Sequence, residues 1–111
     1  MGALTYLDKA LAIDPKDEDA LYEKGVVLNK LGNHTGAIEY FDKALVIDLH
    51  DVDALNNKGA ALNSLGNHTG AVEYYDKALT IDPQYFHALD KKGGALEDLR
   101  NYTGAILYYD K

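Results

Sequence analysis

Four histidines, His34, His50, His68 and His87, are the first residues to test for metal chemistry, because neutral imidazole is a common ligand. His34 and His68 occupy the same place in two successive copies of one phrase. Neighbouring helices pack at ~8–10 Å, so equivalent positions two helices apart lie too far from each other to share one tetrahedral ion. No His-Glu-x-x-His spacing puts two ligands on one helical face. Turn packing is the expected role of these histidines, and no metal site is expected. Ser64 is the only serine and has no histidine in register with it. No Gly-Lys-Ser/Thr phosphate loop occurs, and paired carboxylates such as Asp51 and Asp53 read as a charged loop. With no cysteine, thiolate ligands, disulfides and thiol nucleophiles drop out. The chain is therefore not expected to be an enzyme or to carry a cofactor.

Two further patterns invite a chemical reading. Asn33-His34-Thr35, Asn67-His68-Thr69 and Asn101-Tyr102-Thr103 fit the acceptor pattern for N-glycosylation. Each falls where a turn between helices is expected, and there Asn and Thr serve turn and cap geometry. No signal peptide is expected, because the N-terminus lacks a basic start followed by an apolar core. Met1-Gly2 alone does not make a myristoylation signal, because position 6 is Tyr where Ser or Thr is usual. Tyr40, Tyr74-Tyr75 and Tyr108-Tyr109 recur at helical spacing. One member of each aromatic pair is expected in the core and its neighbour on a flank, in preference to an aromatic ligand box.

The elements that position these residues come from a repeat. Gly32-Asn33-His34-Thr35-Gly36-Ala37 returns as Gly66-Asn67-His68-Thr69-Gly70-Ala71, and loosely as Arg100-Asn101-Tyr102-Thr103-Gly104-Ala105. Asp42-Lys43-Ala44-Leu45 returns as Asp76-Lys77-Ala78-Leu79 and is preceded by Asp8-Lys9-Ala10-Leu11. Each offset is 34 residues. About two-thirds of residues 18–51 are identical to 52–85, which is the signature of a stacked array. Each period reads as two helices. The first runs from about Glu18 to Leu31, with Leu21, Gly25, Leu28 and Leu31 at helical spacing. Gly32 stops it, and Thr35 is the expected N-cap of the second helix. Ala37, Ile38, Phe41, Ala44, Leu45 and Ile47 mark the expected buried stripe of that helix, and Ala71, Val72, Tyr75, Ala78, Leu79 and Ile81 mark its successor. Asp14-Pro15 and Asp82-Pro83 end helices, because Pro cannot continue one.

Gly25, Gly59 and Gly93 sit mid-helix at one phase of the repeat. Glycine there costs up to about 1 kcal/mol against Ala, so close packing is expected, with Ala37, Ala71 and Ala105 as the residues approaching from the partner helix.

This pattern resembles the tetratricopeptide repeat family over essentially the entire chain. The 34-residue period, the mid-helix Gly, the Leu-Gly turn and the Ala…aromatic…Ala-Leu…Asp-Pro phrase all match. The departures are Leu21, Leu55 and Leu89 at the family's early aromatic, His34 and His68 after the turn, and Leu49 for the usual Pro. The resemblance implies an all-α fold, a right-handed α-solenoid of antiparallel helix pairs. The repeats are expected at 18–51 and 52–85, with residues 1–17 as the second helix of a partial repeat and 86–111 as a truncated one. Neither end shows an atypical polar cap, so a fragment of a longer array, or a mature chain with frayed ends, is expected, with Leu4, Leu7, Leu11, Ile106 and Tyr109 exposed at its ends. Such ends favour head-to-tail association of copies. Pentatricopeptide repeats have a different period and read RNA, which the acidic charge disfavours.

The resemblance further implies a peptide or extended protein segment held in a concave groove lined by the first helix of each pair. The family's groove positions fall on Asp19, Tyr22, Val26, Asn29 and Lys30, on Asp53, Asn56, Ala60, Asn63 and Ser64, and on His87, Asp90, Gly94, Glu97 and Asp98. Asn side chains can pair with a partner's backbone amides, and Tyr22 offers an apolar face with a polar tip. One subtype of the family clamps a chaperone's C-terminal carboxylate with Lys, Asn and Arg. Here only Asn57 agrees, Lys91 is a conservative replacement, and Tyr22, Val26 and His87 stand at the other positions, so that clamp is incomplete. The acidic third repeat suggests a Lys- or Arg-containing partner. Eleven basic against eighteen acidic residues, a net charge of −7, disfavour nucleic acid and anionic membranes. No apolar run approaches the roughly 20 residues of a bilayer span, and a cytoplasmic location is expected. The alternative function is a structural spacer or self-associating array.

Overall fold

The computed structural model describes residues 2–109, with side chains through Arg100. Six helices follow one another: α1 (Ala3–Ile13), α2 (Glu18–Lys30), α3 (His34–Ile47), α4 (Val52–Ser64), α5 (His68–Ile81) and α6 (Phe86–Tyr109). Helices α2 and α3 form one antiparallel hairpin and α4 and α5 the next, and each hairpin packs on its chain neighbours. Among the described residues α2 touches α4 and α4 touches α6, whereas α1, α3 and α5 do not touch one another. The even-numbered helices therefore line the inside of a curve and the odd-numbered helices splay along its outside. The result is elongated, 59 × 30 × 19 Å, as a stack of nearest-neighbour units must be.

Gly32 and Gly66 carry the tight turns. Both have φ of 87°, a left-handed conformation that costs other L-residues roughly 1–2 kcal/mol. The Asn33 amide donates to the Leu28 carbonyl at 2.9 Å and the Gly32 amide to Asn29 at 3.1 Å. This paired closure satisfies carbonyls that the helix end would otherwise leave open. The next helix is capped by Asn33, not by Thr35. The Asn33 side chain accepts from the Gly36 amide at 2.9 Å, and Asn67 does the same for Gly70. Asn33 directly precedes the helix, and Thr35 lies inside the first turn.

The expected Pro stops give way to an Asp stop. Asp14, Asp48 and Asp82 each end a helix in an extended conformation and accept from the amide two residues on. α3 thus ends at Ile47 although Leu49 stands where Pro is usual. The core is built of Ala37, Phe41, Ala44 and Leu45 against Leu21 and Gly25, and of Ala71, Tyr75 and Ala78 against Leu55 and Gly59. Ile47 and Ile81 do not join it; both are exposed. Two residues on a helix turn through about 200°, so Ile47 faces away from Leu45. Leu31 is likewise exposed, and Leu7 is buried, contrary to the expected open end. Leu4 and Leu11 are half-buried. The side chains of Ala105, Ile106, Tyr108 and Tyr109 lie outside the described residues.

The mid-helix glycines face the aromatic ring of the partner helix. A Cβ on Gly25 would stand 2.5 Å from the Phe41 ring, and one on Gly59 would stand 2.7 Å from the Tyr75 ring, with the Ala71 carbonyl oxygen next at 3.2 Å. The expected approach of Ala37 and Ala71 is therefore secondary to these rings. A further departure is α6, which runs unbroken from Phe86 to Tyr109. Asn101-Tyr102-Thr103 is thus helical where a turn was expected. Arg100 replaces the turn glycine, cannot adopt φ of about 87° without strain, and is a good helix former.

Candidate functional site

Two hollows adjoin the even-numbered helices. One, about 430 Å³, lies between α4 and α6 and is lined by Ala60, Asn63, Ser64, Asp90, Lys91, Gly94, Glu97 and Asp98, with Tyr75 at its base. The groove positions of the second and third repeats meet here. Three carboxylates face one ammonium in this lining. The other, about 380 Å³, lies between α1 and α2 and is apolar, formed by Ala3, Tyr6, Leu7, Tyr22, Glu23, Val26 and Val27. Tyr22 and Val26 therefore join α1 and not the acidic cleft. Asp19, Lys30 and His87 line neither hollow. His87 packs edge-on against Tyr85, ring centres 5.6 Å apart.

Several groove residues already have structural work. Tyr22 packs on Phe41 at 5.9 Å, and its hydroxyl accepts from the Asn57 amide at 2.9 Å. That same Asn57 nitrogen also donates to the Asp53 carbonyl. Burial, aided by the Asp53 and Asp51 charges, raises the Tyr22 pKa. Tyr85 donates its hydroxyl to the Asp53 carboxylate, and burial followed by that bond pushes the Tyr85 pKa up. Asn29 and Asn63 accept from the imidazoles of His34 and His68 through Nδ1, which ties each second helix back to the first. His68 Nδ1 also lies 3.8 Å from Asp98. A ligand seeking an acceptor at Asn63 shares that oxygen with an imidazole. Asn56 is not a groove residue: it is only 4% exposed, and its Oδ1 has no hydrogen-bond partner among the described residues. Its neighbours in the core, Leu55 and Ala54, draw that face of α4 inward.

The outer surface holds a ladder that the motif reading missed. Lys24 pairs with Asp8, Lys58 with Asp42 at 2.5 Å, and Lys92 with Asp76 at 2.6 Å. Each rung joins an even-numbered helix to the helix before it. Lys24 and Lys58 also sit 4.4 and 4.2 Å above the rings of Tyr40 and Tyr74, so these flanking tyrosines are cation shelves. Burial works against the Lys58 charge, but Asp42 and the Tyr74 hydroxyl outweigh it and raise the pKa. The signal was available, because Lys and Asp recur at fixed phase through three periods. Among the described residues, no three His, Asp or Glu side chains converge as a metal site, and no helix is long and apolar enough to cross a membrane.

Stacked helical hairpins with a concave inner face define the class of α-helical repeat solenoids. The chain belongs to the tetratricopeptide repeat family, whose patterns match residues 1–51 and 52–85. Among solved structures it is similar to YrrB, described as a TPR protein with an unusual peptide-binding site, at 31% identity and a TM-score of 0.79 over 82% of this chain and 47% of that one. The Sgt2 TPR domain from Aspergillus fumigatus is 30% identical, with a TM-score of 0.74 over 85% of this chain and 62% of that one. The first TPR of Spaghetti (RPAP3), bound to the HSP90 peptide SRMEEVD, shares the fold at 19% identity and a TM-score of 0.81, over 85% and 75% of the two chains. The chain spans about half the length of YrrB. No curated protein matches it.

Proposed function

We propose that this chain is a non-catalytic scaffold that holds an extended, Lys- or Arg-containing segment in the cleft between α4 and α6. The observation that carries the reading is the lining of that cleft, where Asp90, Glu97 and Asp98 face a single Lys91. Complementary charge would set register and speed encounter. Similarity to proteins described with a peptide-binding site or a bound peptide supports the coarser part of the reading. The acidic tail bound by the RPAP3 domain is a poor fit here. Val26 and His87 stand where a carboxylate clamp needs amide or cation, and Asn57 is already bonded to Tyr22 and Asp53. Ser64 lines the cleft, and no chemical step is assigned to the chain. A net charge of −7 sets nucleic acid and anionic membranes aside as partners, and a cytoplasmic setting fits a cysteine-free chain.

The test is calorimetric titration of unstructured peptides of equal length, one Lys/Arg-rich and one Asp/Glu-rich, into the protein and its Glu97→Lys variant. Preferential binding of the basic peptide, weakened by Glu97→Lys and by added salt, supports the reading. Equal or absent binding of the two peptides, or indifference to Glu97→Lys, removes it. A second reading, head-to-tail association, is favoured by exposed Tyr6 and Ile13 at one end and Phe86, Leu89 and Leu96 at the other. Molecular mass that grows without limit as concentration rises would support it, and a fixed mass would end it.

A further inference from the structure

The first two repeats each have a glycine socket filled by an aromatic ring, Gly25 by Phe41 and Gly59 by Tyr75. Gly93 stands at the same phase of the third repeat, yet among the described residues nothing lies within 4 Å of a Cβ built on it. The surface around this empty socket is apolar. Leu89, the equivalent of Leu21 and Leu55, is 49% exposed where they are 4% and 5%, and Phe86 and Leu96 are exposed beside it. This is the face that a second helix would cover.

The covering sequence is present in the chain. Residues 101–111 repeat the phrase of 33–43 and 67–77, with Ala105 at the place of Ala37 and Ala71, and Tyr109 at the place of Phe41 and Tyr75. It does not reach the socket of its own copy. α6 is continuous from Phe86 to Tyr109, and a rise of 1.5 Å per residue sets residue 109 about 24 Å beyond Gly93. The cause is Arg100, which replaces the glycine that turns back at φ of 87° in both preceding repeats.

We infer that residues 101–109 of a second copy cover the open face of α6, and that two chains close into a symmetric dimer by exchanging this segment. The register supports this. Within a hairpin, Gly25 pairs with Phe41 and Gly59 with Tyr75, antiparallel about residues 33 and 67. The corresponding midpoint between Gly93 and Tyr109 is residue 101. Two antiparallel α6 helices related by a two-fold axis at residue 101 therefore bring each copy's residue 109 to the other's Gly93. Both sockets fill with the contacts the hairpin would have made. The arrangement uses one patch twice, so it stops at two copies, unlike a head-to-tail array. It does not depend on the peptide reading of the cleft.

Light scattering on the full chain from low to high micromolar concentration tests it. The expected result is reversible passage to twice the 12.2 kDa of one chain, with no larger species. Arg100→Gly should let the turn close within one chain and return the mass to that of a monomer. A Cβ at position 93 meets nothing within 4 Å among the described residues, whereas Gly93→Leu would collide with the exchanged segment, so it should weaken the dimer about tenfold or more. Circular dichroism confirms that both variants remain folded. A wild-type monomer at every concentration overturns the inference. So does growth beyond two copies, or a dimer indifferent to both substitutions.

Discussion

Alanine at two equivalent glycines should change stability in opposite directions. In an exposed helix interior, Gly→Ala gains about 1 kcal/mol from backbone propensity. At Gly93 nothing within 4 Å opposes the new methyl among the described residues, so Gly93→Ala should stabilise the single chain by about 0.5–1 kcal/mol. At Gly59 the methyl would lie 2.7 and 2.9 Å from two carbons of the Tyr75 ring and 3.2 Å from the Ala71 carbonyl oxygen. Carbon pairs settle at about 3.5–4.0 Å, so the ring must retreat by almost 1 Å. Tyr75 is 1% exposed and packed on all sides. Overpacking of this kind costs typically 1–3 kcal/mol, which leaves Gly59→Ala between neutral and about 2 kcal/mol destabilising. The propensity gain is common to both sites and cancels in their difference, which isolates a packing cost of about 1–3 kcal/mol. For a domain near this size that is a gap of very roughly 4–20 °C between melting midpoints. Urea and thermal unfolding followed by circular dichroism would read it, at a protein concentration low enough to keep the chain monomeric. Equal stabilisation by both substitutions would refute the account of ring against glycine. Gly25→Ala, whose methyl would stand 2.5 Å from Phe41, should behave as Gly59→Ala does.

Further expectations follow from named contacts. Asn67→Ala removes the cap on the Gly70 amide and should cost about 0.5–2 kcal/mol, whereas Thr69→Ala should stay within about 0.5 kcal/mol; urea midpoints decide between them. Lys58→Met breaks the rung to Asp42 and the shelf on Tyr74 and should cost about 1–2 kcal/mol, while the more exposed Lys43, 3.6 Å from Glu39, should matter by less than about 0.5 kcal/mol when truncated. At high pH the sign runs one way. Burial pushes Tyr75 up to about 12, and Lys24, Lys58 and Tyr85 are also raised. A raised folded pKa supports the fold below the unfolded value, and that support is lost as pH climbs through the folded one. Stability should fall from about pH 10 upward, each group contributing up to about 1.4 kcal/mol per pH unit. Tyr75→Phe should make that fall shallower in unfolding curves measured between pH 9 and 12; an unchanged slope would count against burial as the cause.

Much of the architecture was written in local sequence. A 34-residue period, an apolar stripe at helical spacing, and glycine where the backbone turns left-handed are nearest-neighbour terms, and a solenoid is built of nearest-neighbour terms. The boundaries of α2 and α3 and the turn at Gly32 follow from them. So does the composition of the acidic cleft, because Asn63 and Glu97 stand one 34-residue repeat apart, and Asp90 and Glu97 two turns apart, on the helices that curve inward.

Tertiary structure decided whatever depends on the distance between two helices. Asn56 looked like a groove residue by phase, yet packing of α4 draws it into the interior. Tyr22 and Val26 belong to a different hollow from Asp90 because α1 packs against their helix. The glycines answer to aromatic rings and not first to alanines, since helix separation, not spacing along the chain, selects which atom meets an absent Cβ. The same division explains α6. The repeat pattern asked for a turn at Arg100. Backbone sterics refuse a left-handed arginine there, the helix continues, and the apolar face of the last repeat is left to the packing of chains.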